Sequence, residues 1–271
     1  MTVHRGGRTR TVASLAETST MTPRVALFHA GSRQLATAVL FPTGHRPGGG
    51  PLPVLMDPYG GPAGQRALAG RDLYRVSQWF ADQGFAVVIA DGRGTPGRGP
   101  AWERTIHHDI AGPVLDDQVA ALHAAAHAHP DLDLTRVGIR GWSYGGYLAA
   151  LAVLRRPEVF HAAVAGAPDI DQRLYDTHFK ERYLGHPDTH PDVYDRCSLL
   201  LDAPRLRRPL MFVHGLADDN VVIAHTLRMS AALLAAGRPH TVLPLTGATH
   251  LANNPNVLRL ELDFLQRSLS T

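Results

Sequence analysis

The chain has 271 residues, of which 44% are hydrophobic and 19% charged, a balance typical of a globular core and not of a disordered chain. No apolar run approaches the roughly 18 residues of a membrane span, and a net charge of +3 with dispersed arginines argues against a nucleic-acid partner. The single cysteine, Cys197, excludes an internal disulfide; with no apolar leader at the N-terminus, it favours a cytoplasmic location.

The N-terminal segment predicts two pairs of short strands. The first residues, TVHRGGRTRTVASL, alternate in polarity around Gly6-Gly7. The stretch RVALFHAGSRQLATAVLF predicts an antiparallel hairpin around Gly31-Ser32. We therefore separate residues 1–24, an extended arm, from a domain that spans residues 25–271.

Beyond the Gly/Pro-rich loop at residues 44–53, apolar strands alternate with helices. The predicted strands are PVLMDP, FAVVIA, RVGIR, AAVAGAP, PLMFVHG and TVLPL. The predicted helices lie near residues 71–83, 113–129, 144–154, 221–236 and 255–268, with a helical insertion near 170–200. Because the strands show no polar alternation, we expect a mostly parallel central sheet covered by helices on both faces. Ligands bind such sheets at the carboxyl ends of the strands.

One strand-to-helix junction carries the strongest chemical signal. The sequence RVGIRGWSYGGYLAALAVL places Ser143 between Gly141 and Gly145, in the pattern G-x-S-x-G. This pattern predicts a nucleophile elbow, a tight turn that exposes a serine hydroxyl at the top of the sheet. A glycine-rich strand-to-helix turn without catalytic role is the alternative.

A serine nucleophile needs a base and a carboxylate that orients the base. In α/β-hydrolases they follow the serine in the order acid, then histidine. Asp218 and Asp219 follow the strand PLMFVHG, and His250 follows the strand TVLPL. We therefore expect Asp218 and His250 at the same sheet edge as Ser143. Either aspartate is also suited to cap the next helix, and Asp219 fits that role at least as well.

The reaction also needs hydrogen-bond donors for a developing oxyanion. The backbone N–H of Tyr144, directly after the serine, is the first candidate. The early loop VLMDPYGGPAG offers the phenol of Tyr59 as the second. A packed tyrosine in a Pro/Gly turn is the alternative for this stretch.

The motifs GWSYGGY, DPYGGP, DGRGTPGRG, YDTHFKERYLG and HGLADDNV, in this order, resemble the catalytic domain of the prolyl oligopeptidase family, in its dipeptidyl peptidase IV branch. The similarity extends from about residue 25 to the end. It implies an α/β-hydrolase fold and the triad and oxyanion donors above, without metal or cofactor. It further implies that Asn220 holds a substrate carbonyl. Tyr175 would line a pocket for a small ring such as proline, with Phe179 where the family has a second tyrosine.

The resemblance implies a serine peptidase that cleaves after proline or another small residue through an acyl-enzyme on Ser143. Family members carry an N-terminal β-propeller, and residues 1–24 resemble its last strands. We therefore expect a catalytic domain that self-associates or contacts a separate propeller. A carboxylesterase or other acyl hydrolase with the same triad, and an inactive isolated domain, are the alternatives.

Two competing motifs are weaker. Gly92-x-Gly94-x-x-Gly97 matches a dinucleotide-binding pattern, but no helix begins directly after Gly97. We expect this loop to form the edge of the active site. His123 and His127 lie one helical turn apart but lack the glutamate of a zinc-protease motif, so we expect solvent-exposed histidines.

Overall fold

The computed structural model describes residues 2–13, 20–252 and 254–270. Ten strands occur in this part of the chain: β1 (Thr2–Arg5), β2 (Arg8–Thr11), β3 (Val25–Ala30), β4 (Leu35–Leu40), β5 (Leu52–Met56), β6 (Ala86–Asp91), β7 (Leu132–Trp142), β8 (Ala162–Gly166), β9 (Leu210–Gly215) and β10 (Thr241–Leu245). The α-helices there are α1 (Arg75–Asp82), α2 (Pro100–Glu103), α3 (Gly112–Ala128), α4 (Tyr144–Arg155), α5 (Thr177–Leu184), α6 (Pro191–Cys197), α7 (Ala224–Ala235) and α8 (Pro255–Leu269).

Eight strands form one sheet in the order β10-β9-β8-β7-β5-β6-β4-β3. The six strands from β10 to β6 are parallel, whereas β4 pairs antiparallel with both β6 and β3. The mostly parallel sheet predicted from the sequence is therefore present, with the predicted hairpin at one edge. The strand pair predicted around Gly6-Gly7 is also present, as the hairpin of β1 and β2.

Helices cover both faces of the sheet and create two core layers. Helices α3, α4 and α7 pack on one face, and α1 and α8 pack on the other. Strand β6 contacts both layers: Val88 belongs to the first cluster and Val87 to the second. Successive strand residues point to opposite faces, so an uninterrupted apolar run is the pattern expected of a strand buried on both sides.

Several element boundaries differ from those predicted. The helix expected near residues 71–83 begins as a 3₁₀ turn, Arg71–Tyr74, that leads into α1. The short helix α2 was not predicted, and α7 begins later than expected. The predicted insertion contains α5 and α6, flanked by 3₁₀ turns at Gln172–Leu174 and Leu200–Arg205.

The predicted N-terminal arm is described only in part, because residue 1 and residues 14–19 lie outside the described residues. The residues of β1 and β2 are all exposed. The assignment of residues 1–24 to a propeller remnant stays a prediction. Among the described residues, no helix combines the length and apolar character that a membrane span requires.

Candidate active site

Ser143 lies in the turn between β7 and α4. Its backbone has φ of 59° and ψ of −122°, in the left-handed half of conformational space that residues other than glycine seldom adopt. The Ser143 N–H donates to the Gly166 carbonyl at 2.8 Å, and the Ser143 carbonyl accepts from the Tyr147 N–H at 2.9 Å. This strained turn has the conformation of a nucleophile elbow.

Three glycines allow this turn to form. A Cβ on Gly141 would lie 2.2 Å from the Gly145 carbonyl oxygen, and one on Gly146 would lie 2.2 Å from that of Gly166. A Cβ on Gly145 would lie 2.6 Å from the carbonyl oxygen of Pro58. A side chain at Gly145 would therefore collide with the loop after β5, and not with the strand or helix that flank the elbow.

Asp218 both closes a turn and holds a histidine. Its Oδ1 accepts hydrogen bonds from the N–H groups of Asn220 and Val221, at 3.0 and 2.9 Å. Its Oδ2 lies 2.8 Å from His250 Nδ1. Neither aspartate caps α7 as the sequence suggested, because its N-cap residue is Ile223 and no side chain caps it; Asp218 instead closes a turn ahead of that helix. The two roles are compatible because a carboxylate has two oxygens.

The loops that carry Asp218 and His250 pack tightly against each other. The Ala217 N–H donates to the Ala248 carbonyl at 3.0 Å. A Cβ on Gly215, the last residue of β9, would lie 2.4 Å from that same carbonyl oxygen and 2.5 Å from that of Thr249. Parallel neighbours β9 and β10 place both loops at one sheet edge, and this close approach fixes their spacing.

Two side chains that sequence reasoning did not assign to the site support its geometry. Trp142 Nε1 donates to the His250 carbonyl at 2.6 Å and so connects the elbow to the histidine loop. The buried His214 lies behind Asp218, with Nε2 3.5 Å from Oδ2. Burial lowers the pKa of His214, which keeps this imidazole neutral at neutral pH. Their positions, next to the serine and at the end of β9, were the available signals.

The candidate residues converge on one cavity of about 450 Å³. Seven of the eight residues singled out from the sequence line it, namely Tyr59, Ser143, Tyr144, Tyr175, Phe179, Asn220 and His250. The eighth, Asp218, is buried and contacts His250 from behind. Ser143, Asp218 and His250 each lie in a loop that follows a strand of the sheet, and these strand-end loops bring the three side chains to one place.

The two tyrosines near Ser143 are both protonated at neutral pH. Burial raises the pKa of Tyr59 to about 12, and the nearby charge of Asp169 adds to this, against a smaller opposing effect of its hydrogen bond with the Ser143 side chain. Burial also raises the pKa of Tyr144, whose hydroxyl donates to the Ile110 carbonyl at 2.5 Å. The Tyr59 phenol is thus available as a donor beside Ser143, whereas the Tyr144 hydroxyl is occupied.

The opposite wall of the cavity belongs to the inserted helices. Tyr175 donates from its hydroxyl to Asn220 Oδ1 at 3.1 Å, which leaves the Asn220 amide nitrogen as a donor. The rings of Tyr175 and Phe179 lie edge to face, with centroids 5.7 Å apart. Next to them, Asp169 lines the cavity and pairs with the buried Lys180. Sequence reasoning missed this ion pair.

A buried charge network supports the elbow from below. Arg140, on β7, contacts Glu261 Oε2 at 2.8 Å and Asp57 Oδ1 at 2.9 Å, and Arg66 also contacts Asp57 Oδ1 at 2.9 Å. Burial alone would raise the pKa of Asp57, but the two guanidinium groups hold it below its ordinary value. The network fixes β7 only three residues before Ser143.

The competing motifs lie elsewhere. The loop that contains Gly92, Gly94 and Gly97 was expected to form the edge of the active site, but Thr95 and Arg98 line a different cavity. In the same loop, Arg93 donates to the buried carboxylate of Asp117, on α3, at 3.0 Å. His123 and His127 are exposed on α3. Among the described residues, no cluster of three metal-binding side chains occurs.

Comparison with known proteins agrees with this geometry. Residues 72–271 match the model of the prolyl oligopeptidase family. Dipeptidyl peptidase 8 of Homo sapiens is 38% identical over 194 residues, which cover 69% of this chain and 22% of that protein. Dipeptidyl peptidase family member 2 of Caenorhabditis elegans is 28% identical over 204 residues, 74% of this chain and 25% of that protein. The chain thus spans a quarter or less of these relatives.

The fold is also shared with a solved structure. Dipeptidyl peptidase 4 of Porphyromonas gingivalis superposes with a TM-score of 0.82 and 31% identity, over 91% of this chain and 35% of that one. The predicted α/β-hydrolase fold is therefore confirmed. The family model begins at residue 72, later than the similarity from about residue 25 that the motifs suggested, whereas the structural match covers nearly the whole chain. The chain belongs to the prolyl oligopeptidase family.

Proposed function

We propose that this chain hydrolyses peptide bonds after proline or another small residue, through an acyl-enzyme on Ser143. One observation carries the proposal: the 2.8 Å contact between Asp218 Oδ2 and His250 Nδ1, beside a cavity that Ser143 and His250 both line. A carboxylate at Nδ1 fixes the proton there and leaves Nε2 as the free base. The dipeptidyl peptidase names of the relatives support a peptide as the substrate.

In the proposed mechanism, His250 takes the Ser143 proton as Oγ attacks the carbonyl carbon of the substrate. The resulting imidazolium is stabilised by Asp218. His250 then protonates the leaving amine, and water repeats the sequence on the acyl-enzyme. All bonds that form and break belong to the substrate, Ser143, His250 and water, so these steps require no cofactor.

The oxyanion would accept hydrogen bonds from the Tyr144 N–H and the Tyr59 phenol. The Tyr144 N–H is free of the α-helical pattern because Tyr144 is the first residue of α4. A pKa of about 12 keeps the Tyr59 phenol protonated throughout the pH range of ordinary assays. Donors held in place before the reaction stabilise charge that develops in the transition state.

The test is hydrolysis of Gly-Pro-p-nitroanilide and of p-nitrophenyl acetate by the wild type and by Ser143→Ala. The Ser143 side chain makes no capping hydrogen bond to α4, so the variant is expected to fold normally. Ser32→Ala, in the exposed turn between β3 and β4, is the matched control. We expect Ser143→Ala to lose both activities and Ser32→Ala to keep them.

The two substrates separate the proposal from its alternative. Anilide cleavage that depends on Ser143 supports a peptidase whose selectivity lies within this domain. Ester cleavage without anilide cleavage would instead indicate an acyl hydrolase. Full activity in a folded Ser143→Ala variant would overturn the mechanism.

A further inference from the structure

The cavity contains a buried ion pair at the wall where a substrate side chain would bind. Lys180 is the one lysine of the sequence, and its side chain is only 1% exposed, with Nζ on Asp169 Oδ2. Helix α5 positions this lysine, because the Asp176 side chain caps the helix through the Phe179 N–H at 2.8 Å. Lys180 Nζ lies 5.1 Å from the ring centroid of Tyr175. The aromatic wall of the cavity is therefore backed by charge.

The Asp169 carboxylate retains unused acceptor capacity. Its Oδ2 receives Lys180, whereas its buried Oδ1 has no hydrogen-bond partner among the described residues. An ionised carboxylate has about four acceptor positions, and buried acceptors without a partner are uncommon in proteins. Asp169 also lines the cavity beside Ser143 and lies near enough to Tyr59 and Tyr175 to raise the pKa of both phenols.

A purely apolar pocket discriminates weakly between a ring and its hydroxylated form. A pocket with a buried hydrogen-bond acceptor discriminates more strongly. An apolar substrate side chain would leave that acceptor unpaired, whereas a substrate hydroxyl would donate a hydrogen bond to it. Lys180 cancels the charge of Asp169, so the pair favours a neutral donor over a cationic side chain.

On the basis of the proposed peptidase function, we propose that Asp169 is a specificity-determining residue that selects substrates with a small hydroxylated residue at the scissile carbonyl, such as 4-hydroxyproline or serine. The Asp169 carboxylate accepts the hydroxyl hydrogen, and the rings of Tyr175 and Phe179 enclose the remainder of the side chain. Ser143 then attacks the carbonyl of that same residue.

The experiment compares matched p-nitroanilides: Gly-4-hydroxyPro against Gly-Pro, and Gly-Ser against Gly-Ala. In the wild type we expect kcat/KM to be about tenfold higher for the hydroxylated member of each pair, the effect of one hydrogen bond to a charged acceptor. The double variant Asp169→Leu/Lys180→Met removes both charges together and so leaves no unpaired ion in the core. In this double variant we expect the ratio of kcat/KM for the hydroxylated substrate to kcat/KM for its unhydroxylated partner to fall to about one or below.

The double variant Arg173→Gln/Asp195→Asn is the matched control, because it removes an exposed ion pair of 2.7 Å from the same insertion. We expect it to keep the wild-type ratio. A wild-type ratio of one or less in both substrate pairs overturns the inference without any variant, as does an unchanged ratio in the Asp169/Lys180 variant. If no anilide is cleaved while p-nitrophenyl acetate is, the proposed peptidase function itself fails, and the inference fails with it.

Discussion

The packing between the acid loop and the histidine loop makes Gly215→Ala a sharp test of the site. Gly215 does not have a positive φ, so the backbone accepts alanine without conformational strain. The new Cβ, however, would lie 2.4 Å from the Ala248 carbonyl oxygen, whereas ordinary contacts begin at 3.4 Å. The obstacle is backbone, so the loop that carries His250 must shift by about 1 Å.

A shift of this size in a catalytic group costs roughly a hundredfold in rate, because the reacting atoms leave their productive geometry. We therefore expect kcat of Gly215→Ala on p-nitrophenyl acetate to fall about a hundredfold. Overpacking of this kind destabilises a core by about 1–3 kcal/mol, so the variant should have a lower melting temperature but remain folded at room temperature. Steady-state kinetics and a circular-dichroism melt measure the two effects.

Gly70→Ala is the matched control, because its Cβ would contact only the side chain of Leu73, which is exposed and can move. We expect it to keep wild-type kcat. A folded Gly215→Ala variant with full activity would refute the reasoning, since it would mean that the spacing of the two loops does not set the position of His250.

Three further predictions concern charge. Asp218→Asn should keep the turn, because Oδ1 still accepts two N–H groups, but should lower kcat about 10⁴-fold by disturbing the His250 tautomer. Glu261→Leu removes one of the two carboxylates that pair with the buried Arg140 guanidinium. It should lower the free energy of unfolding, measured in urea titrations, by about 3 kcal/mol. Burial lowers the pKa of His225 from 6.5 to about 4. Between these two pH values His225 binds a proton in the unfolded chain but not in the folded one, so the free energy of unfolding falls as the pH drops from 6.5 towards 4. His225→Asn should weaken that dependence when urea titrations at pH 7 and pH 5 are compared.

An exposed ion pair provides the control for the buried one. Asp195→Asn, in an exposed pair with Arg173, should change the free energy of unfolding by less than about 1 kcal/mol. An equal loss in Glu261→Leu and Asp195→Asn would contradict the role of burial. Unaltered kcat in Asp218→Asn would contradict the proposed base, and an unchanged pH dependence in His225→Asn would show that other groups cause it.

The sheet and the position of its strand-end loops were predictable from the sequence because each depends on local pattern. Strand β6 is a continuous apolar run, and that pattern is what burial on both faces requires. The elbow was predictable because Gly141 is dictated by contact with Gly145, four residues away. The positions of Asp218 and His250 were predictable because each residue lies in the loop directly after an apolar strand.

Other parts of the site depend on contacts that no local pattern records. The Trp142–His250 hydrogen bond joins residues 108 positions apart, and the Arg140–Glu261 pair joins residues 121 positions apart. Helix α7 begins later than its periodicity suggested because the Asp218 carboxylate closes a turn ahead of it. The fold as a whole determines which polar residues contact each other. The sequence therefore contains these residues but does not indicate which of them form pairs.

The same distinction separates the proposed chemistry from the proposed selectivity. The nucleophile, base and acid each follow a strand of one sheet, so the sheet determines where they meet. The pocket wall is different, because Tyr175, Phe179 and Lys180 belong to an insertion whose position depends on its own caps and ion pairs. A change such as a lysine in α5 can therefore alter the character of the pocket without disturbing the Asp218–His250 contact. Substrate preference is thus expected to differ among relatives more readily than the bond-breaking chemistry itself.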